Sequence, residues 1–377
     1  MLARPEISAR EIGMSYFVKS LLVALFFVGF VASLEAAPVK GGTFKWNLSS
    51  IPTVLNPLSS AEVVSTQVAD YVMESLLTHN SDTYEYEPAL AKSWTKSKDG
   101  KTFTFTLRDD AKWSDGKPVT VEDVKFSFDA IVEPTNKYKT ASKKPYYDKI
   151  ASCKIIGKKT IEFKVKDTYF LNFNVAATLM VVPKHIYETP SKKLNKKLIG
   201  SGPYILKKFD RKKGITLIKN KKWWGNKAAH TKNQYNFKKI LIRFVKDSTI
   251  ALQRHEKGDI DLLGLTAEDY VKKTSGKKWG KKVFKVKYDN KGPRGFGFVG
   301  FNMKNPLFKS KDVRKAMAHL FNRELMIKKF LYGYALPATG PVFRQSPYAN
   351  PKVKPIKFSP KVALALLKKQ GWKDTDG

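Results

Sequence analysis

Cysteine, histidine and acid are all scarce in this chain. A single cysteine, Cys153, stands among 377 residues, so no disulfide forms within the chain and a multi-cysteine zinc site is excluded. Cys153 is also far from the amino-terminal region, which therefore has no lipid-attachment cysteine. The five histidines, His79, His185, His230, His255 and His319, are dispersed with no pair at metal-ligand spacing, and neither a metal nor another cofactor is expected. Acidic residues number 33 against 70 lysines and arginines, a formal net charge of +37. Lysine is scattered from Lys40 to Lys373, whereas nucleic-acid binders gather cations on one face, so a solvated basic surface is expected and no nucleic-acid partner. The apolar run from Leu21 to Val31 is too short to cross a bilayer comfortably.

What is present suits a globular, exported protein. With 42% hydrophobic and 12% aromatic residues, the chain can bury cores for two or three domains. Lys19 precedes the apolar run, and small residues follow at Ala36 and Ala37 before Pro38, which reads as an export signal over residues 1–37. Met14 offers an alternative start, because Glu6 and Glu11 are unlike the head of a signal. At the cleavage site Leu34 or Glu35 falls where a small residue is preferred. A soluble protein of the bacterial periplasm is expected.

The stretch "SWTKSKDGKTFTFTLRDDAKWSDGKPVTVEDVKFSFDAI" is the richest in local signals. Phe103, Phe105 and Leu107 alternate with polar residues directly after Asp99-Gly100, predicting a hairpin. After the turn Ser114-Asp115-Gly116, Thr120 and Asp123 form a capping pair. Val121, Val124, Phe128 and Ile131 then recur at helical spacing until Pro134. Further on, Ile240, Ile242 and Phe244 predict a strand, a short helix follows Asp247 and stops at Gly258, and Ile260 to Leu263 predict a second strand. Together these read as a strand-helix-strand unit. Another helix is expected from near Lys311 to about Gly333, and one from Pro360 to Gln370. The fold class is mixed α and β. No repeat or long linker separates its parts, so domains are expected to exchange strands.

Catalytic motifs fail on context. "GSGPY", residues 200–204, superficially resembles a nucleophile elbow, but Pro203 stands where the second glycine belongs and Tyr204 to Leu206 read as strand. His255-Glu256 has no second motif residue, and Asp109-Asp110 and Asp259/Asp261 lie at strand ends or turns. "GFGFVG", residues 295–300, matches the dinucleotide fingerprint, yet the next helix begins about ten residues late and cannot aim its amides at a phosphate. The alternation from Phe296 to Met303 predicts a strand there instead, with glycines that let strands pass closely. No enzyme activity is expected.

Several segments resemble one family, in the family's order: "KGGTFKWNLSSIPTVLNPLSS", "LAKSWTKSKDGKTFTFTLRDDAKWSDGKPVTVEDV", "GSGPYILKKF", "IKNKKWWG", "VRKAMAHLFNRELMIKKFLYG" and "ALALLKKQGWKDTDG". The chain resembles the solute-binding proteins of bacterial ABC importers that include the periplasmic dipeptide- and oligopeptide-binding proteins. The resemblance implies a two-lobe periplasmic binding protein fold of type II with an inserted hairpin-rich domain. Lobe I would take residues 38–73 and 194–295, the inserted domain 74–193, and lobe II 296–377. It also implies a short peptide held between the lobes, delivery to the importer's permease subunits in the inner membrane, and a monomer. Family members continue past the equivalent of "GWKDTDG", so lobe II is expected to be incomplete, as in a truncated reading frame or a minimal variant, and truncation would threaten activity.

By position, Ala61, Glu62 and Val63 match the family stretch that pairs with the peptide backbone like an added strand. Tyr138 would supply an aromatic wall, with Tyr146 and Tyr147 competing for that role. Asn226 and Asn302 would offer side-chain amides. The same scaffold serves nickel complexes, haem and sugars, so ligand class stays open. A basic protein binding anionic polymers is the alternative from another class.

Overall fold

The structure, a computed structural model, describes residues 38–133, 138–288, 295–344, 346 and 349–373. The expected export signal with Met14, and the helix-ending Pro134, lie outside the described residues. The chain divides into two units, 1–41 and 42–377. In the first, residues 38–41 have no regular structure; everything below belongs to the second.

In chain order the elements are β1 (Thr43–Leu48), α1 (Val63–Ala69), β2 (Glu74–Ser75), β3 (Leu77–His79), β4 (Tyr86–Pro88), β5 (Ala91–Lys96) and β6 (Thr102–Leu107). Next come α2 (Val121–Val132), α3 (Lys144–Tyr147), β7 (Ile150–Gly157), β8 (Thr160–Val165), α4 (Asn172–Ala177), β9 (Met180–Val181) and α5 (Lys184–Tyr187). The remainder are β10 (Tyr204–Asp210), β11 (Gly214–Lys219), β12 (Lys239–Phe244), α6 (Ser248–Glu256), α7 (Lys311–Leu320), α8 (Arg323–Phe330) and α9 (Pro360–Lys369). One four-stranded sheet has the order β1-β12-β11-β10, and a second has the order β5-β6-β8-β7. Two-stranded ribbons pair β2 with β9 and β3 with β4. In the first sheet β1 runs parallel to β12, from Thr43 opposite Lys239 to Leu48 opposite Phe244.

The second sheet follows directly from its sequence. Gly100 takes φ +67° in the hairpin between β5 and β6, a conformation that suits glycine. Phe103, Phe105 and Leu107 all point inwards, and β8 answers with Ile161 and Phe163, where Phe103 lies opposite Phe163 and Phe105 opposite Ile161. Helix α2 covers this face with Val121, Val124, Phe128 and Ile131. The Phe128 and Phe163 rings meet edge to face at 5.8 Å. Each such buried aromatic contributes about 2–3 kcal/mol. The Thr120–Asp123 capping box forms as the sequence predicts. Asp123, itself buried, also accepts from Trp113 Nε1 at 3.1 Å and from the Lys184 amide at 2.7 Å. One carboxylate thus ties the start of α2 to the turn before it and to α5.

Three expectations are corrected. The strand at Ile260 to Leu263 does not form. The Asp261 amide donates to Lys45 O at 2.7 Å, but the next bond, from the Lys45 amide, goes to the Asp261 carboxylate at 2.7 Å and not to a carbonyl. A side chain thus ends the ladder after one rung, and the parallel partner of β12 is the distant β1. The apolar stripe from 311 to 333 belongs to two helices, because Phe321 is extended and the Asn322 side chain accepts from the Leu325 amide at 3.0 Å, starting α8 afresh. "GFGFVG" is not a strand: residues 295–300 have no ladder partner among the described residues. Phe298 is 77% exposed, and the space around Gly295 and Gly297 is open, so no strand passes them closely. Alternation supplies two faces, but only a hydrogen-bonded neighbour makes a strand.

Helix α9 forms as expected and packs on α7 around Val313, Ala316 and Ala363, with Asp312 accepting from Lys369 Nζ at 3.0 Å. No helix among the described residues is long and apolar enough to cross a membrane.

Candidate functional site

In open α/β sheets, ligands meet the crevice beyond the carboxyl ends of the strands. Here the parallel strands β1 and β12 end together, and β1 leads into the loop 49–62. That loop is built from inside. Leu55 and Leu58 are buried, the Leu55 amide donates to Asn195 O at 2.8 Å, and buried Asn56 accepts from the Leu58 amide through Oδ1 at 3.0 Å. Asn56 O then takes the amides of Ser59 and Ser60 at 3.1 and 2.9 Å, winding 56–60 into one helical turn.

Glu62 fastens the other end of the loop. Its carboxylate accepts from the Thr53 amide at 2.9 Å, from the Thr53 hydroxyl, and from Ser65 Oγ at 2.9 Å. Burial would raise the Glu62 pKa, but these hydrogen bonds outweigh it and hold the carboxyl below its ordinary value. Arg211 adds a bond from Nη2 to Thr53 O at 3.3 Å. Between these fixed points Ala61 is exposed, and neither its amide nor its carbonyl has a partner among the described residues. Val63, 75% exposed, begins α1, where a first-turn amide is free by construction. The result is a rigid loop with an open backbone edge.

A second segment reaches this loop. Tyr138 donates its hydroxyl to Tyr187 O, and burial pushes its pKa up to about 12. Buried Thr140 donates Oγ1 to Ile131 O at 3.0 Å, and its carbonyl takes the amides of Lys143 and Lys144 at 2.8 and 2.9 Å. From that turn the Lys143 ammonium donates to Pro57 O. Tyr147 instead enters the core with its ring against Phe128, while Tyr146 is 72% exposed. Tyr138 also lines a cavity of about 400 Å³ with Glu122, Lys125, Asp129, Lys184 and Glu188 beside α2.

The two asparagines have their hydrogen bonds elsewhere. Asn226 Nδ2 donates to Asn220 O and Lys221 O at 3.1 and 3.2 Å. The exposed Asn302 accepts the Lys304 amide at 3.1 Å. No hydrogen bond among the described residues joins either side chain to loop 49–62. His255 binds Ile260 O through Nδ1 at 2.8 Å, and Glu256 accepts from Trp279 Nε1 at 3.0 Å, which gives both a structural use. No group of three or more potential metal ligands is assembled among the described residues.

A seam that sequence reading missed holds the pieces together. Glu74, whose carboxyl is the enclosed end of a half-buried side chain, accepts from Trp223 Nε1 at 2.8 Å and from Trp224 Nε1 at 3.0 Å. Arg108 lays its guanidinium on the Trp224 ring, 3.4 Å from the centroid. The "GSGPY" glycines cross Val72 here: a Cβ on Gly200 would stand 1.9 Å from Val72 O, and one on Gly202 2.9 Å. Buried Ser201 lies beside the Glu74 carboxyl without reaching hydrogen-bond geometry. Lys143 was likewise missed. The signal for Glu74 was the Trp-Trp pair, whose two buried indole donors demand an acceptor.

Known proteins share this architecture. The family model "Bacterial extracellular solute-binding proteins, family 5 Middle" matches residues 85–377. The nickel-binding periplasmic protein of Escherichia coli is 29% identical over 309 residues, covering 80% of this chain and 56% of that protein. The oligopeptide-binding protein AppA of Bacillus subtilis is 27% identical over 355 residues, covering 90% of this chain and 61% of AppA. Among solved structures, AppA in complex with a nonapeptide aligns with a TM-score of 0.69 at 25% identity, over 90% of this chain and 66% of AppA. NikZ of Campylobacter jejuni in complex with Ni(L-His) gives 0.69 at 25% identity, over 89% and 64%. The chain thus spans between about half and two thirds of these relatives, and its mixed α/β architecture is that of periplasmic binding proteins. It belongs to the bacterial extracellular solute-binding proteins, family 5.

Proposed function

We propose that this chain is a periplasmic solute-binding protein that captures short peptides and delivers them to the permease subunits of an ABC importer, acting as a monomer and not as an enzyme. The observation that carries the reading is the open backbone edge at Ala61, held rigid by Glu62, Thr53 and Asn56. An extended peptide is the ligand whose own amides and carbonyls satisfy such an edge, in the manner of an added strand. Tyr138, carried on the segment that touches Pro57 through Lys143, would flank the bound chain. Binding at the mouth of the first sheet would also let a ligand bridge residues 38–73 and 194–295 to a second lobe begun by residues 296–377, favouring a closed form by differential contact.

The similar structures of AppA and NikZ hold a nonapeptide and Ni(L-His) respectively, so nickel is the second reading. Thermal unfolding with a tri- to pentapeptide library, and separately with nickel and histidine together, decides between them. Peptide capture predicts a rise of several degrees at about 100 times Kd, where linkage contributes about 2.7 kcal/mol. A rise only with nickel and histidine would replace the peptide reading, and no rise with either would overturn both.

A further inference from the structure

Resting on the peptide reading, we propose that Lys143 is an anion anchor of the same site. It selects solutes that bring a carboxylate, either a peptide's terminus or an acidic side chain, to the loop edge at Ala61. The ammonium is half-buried, and no Asp or Glu among the described residues lies within ion-pair distance of it. Among the described residues its only hydrogen-bond acceptor is Pro57 O. An ammonium has three N–H donors, so two remain for a ligand. Other lysines do hold an acid, such as Lys125 with Asp129 at 2.5 Å and Lys149 with Asp167 at 2.8 Å. A cation drawn out of water without such a partner is destabilising until an anion arrives. Consistent with that, burial pulls the Lys143 pKa down.

The position fits the role. The amides of Lys143 and Lys144 are locked to Thr140 O, and Thr140 is locked to Ile131 O, so the ammonium is presented from a fixed turn. Ala61 directly follows the helical turn at 56–60 that carries Pro57, and one such turn rises roughly 5–6 Å. An extended ligand paired at Ala61 advances about 3.3 Å per residue, so a carboxyl group one or two residues along reaches the ammonium.

Isothermal calorimetry on the full chain tests this with the best-binding peptide in three forms: free acid, carboxyl-terminal amide, and a form with its acidic side chains replaced by amides. Succinate serves as a small-acid probe. We expect one of the two amide forms to bind roughly 10- to 100-fold more weakly, which identifies the carboxylate source. Lys143→Met should erase the difference between acid and amide, and Lys143→Arg should keep it. If the unaltered protein binds all three forms equally, the anchor is refuted while peptide capture stands. If no peptide binds, both fall. Should Lys143→Met fail to fold, the acid-against-amide comparison in the unaltered protein still decides.

Discussion

Glu74 shows how much one side chain can set. Burial pushes its pKa up to about 7, against the pull of the Ser201, Trp223 and Trp224 groups and the positive charge of Arg108. Arg108 gives its own hydrogen bonds to Asp110 and to Ala89 O, and no cation among the described residues forms an ion pair with the carboxyl. Because the folded pKa lies above the ordinary value of 4.5, the folded state holds a proton that the unfolded chain releases. The stability from this group is complete below pH 4.5 and is lost as pH rises towards 7. We expect about 1–3 kcal/mol of stability to disappear across that interval, the upper figure being reduced by the part of Glu74 that meets solvent. Glu74→Gln should flatten the pH dependence of urea unfolding between pH 5 and 8. An unchanged slope would place the titrating group elsewhere. Glu74→Ala, leaving two indole donors without an acceptor, should lose about 2–4 kcal/mol at any pH.

Single elements divide into those closed by near neighbours in sequence and those closed by distant ones. Helix α2 was legible because everything that starts it lies within a few residues: Thr120 donates its hydroxyl to Asp123 at 3.2 Å and accepts the Asp123 amide in return. The hairpin before it was legible for the same reason. Residues 260–263 and 295–300 were misread because alternation says which face is apolar but not whether a partner strand exists, and in the first case the Asp261 side chain took the partner's amide. At the candidate site, the loop edge at 61–63 is an expectation that comes from the resemblance alone. Lys143 and Glu74 were invisible because their partners, Pro57 and Trp223-Trp224, are far away in sequence. Two substitutions grade these cases. Thr120→Ala should destabilise by about 1 kcal/mol, the ordinary value of a cap. Asp123→Ala should lose about 3 kcal/mol or more, since the Trp113 indole and the Lys184 amide are orphaned together. Equal losses in denaturant unfolding would mean that the carboxylate does no more than cap. Gly200→Ala belongs to the severe class, because its methyl would fall 1.9 Å from a backbone oxygen that cannot rotate away.

For the molecule as a whole, the charge imbalance dominates. With 70 bases and 33 acids, at least 37 cationic side chains have no carboxylate of their own, whatever the geometry of the surface. Exposed pairs such as Lys92–Asp109 and Lys149–Asp167 are well screened by solvent and contribute too little to offset the repulsion of so many like charges in a compact body. Screening should therefore stabilise the fold. Raising sodium chloride from about 20 to 300 mM shortens the Debye length from roughly 20 Å to under 6 Å, which removes repulsion between separated lysines while leaving enclosed contacts such as Glu74 with the tryptophans nearly intact. The melting temperature is expected to rise by a few degrees over that range, and a fall would show that the ion pairs outweigh the repulsion. The same field draws anions towards the protein before any contact forms. If the proposed peptide capture holds, association of an acidic peptide should accordingly slow several-fold as salt rises, whereas a neutral peptide's on-rate should stay level. Stopped-flow measurement of the two peptides separates this long-range steering from the short-range anchor proposed at Lys143. Steering appears in the on-rate and fades with salt, while loss of the anchor appears in the off-rate and persists at 300 mM salt, where distant charges are screened.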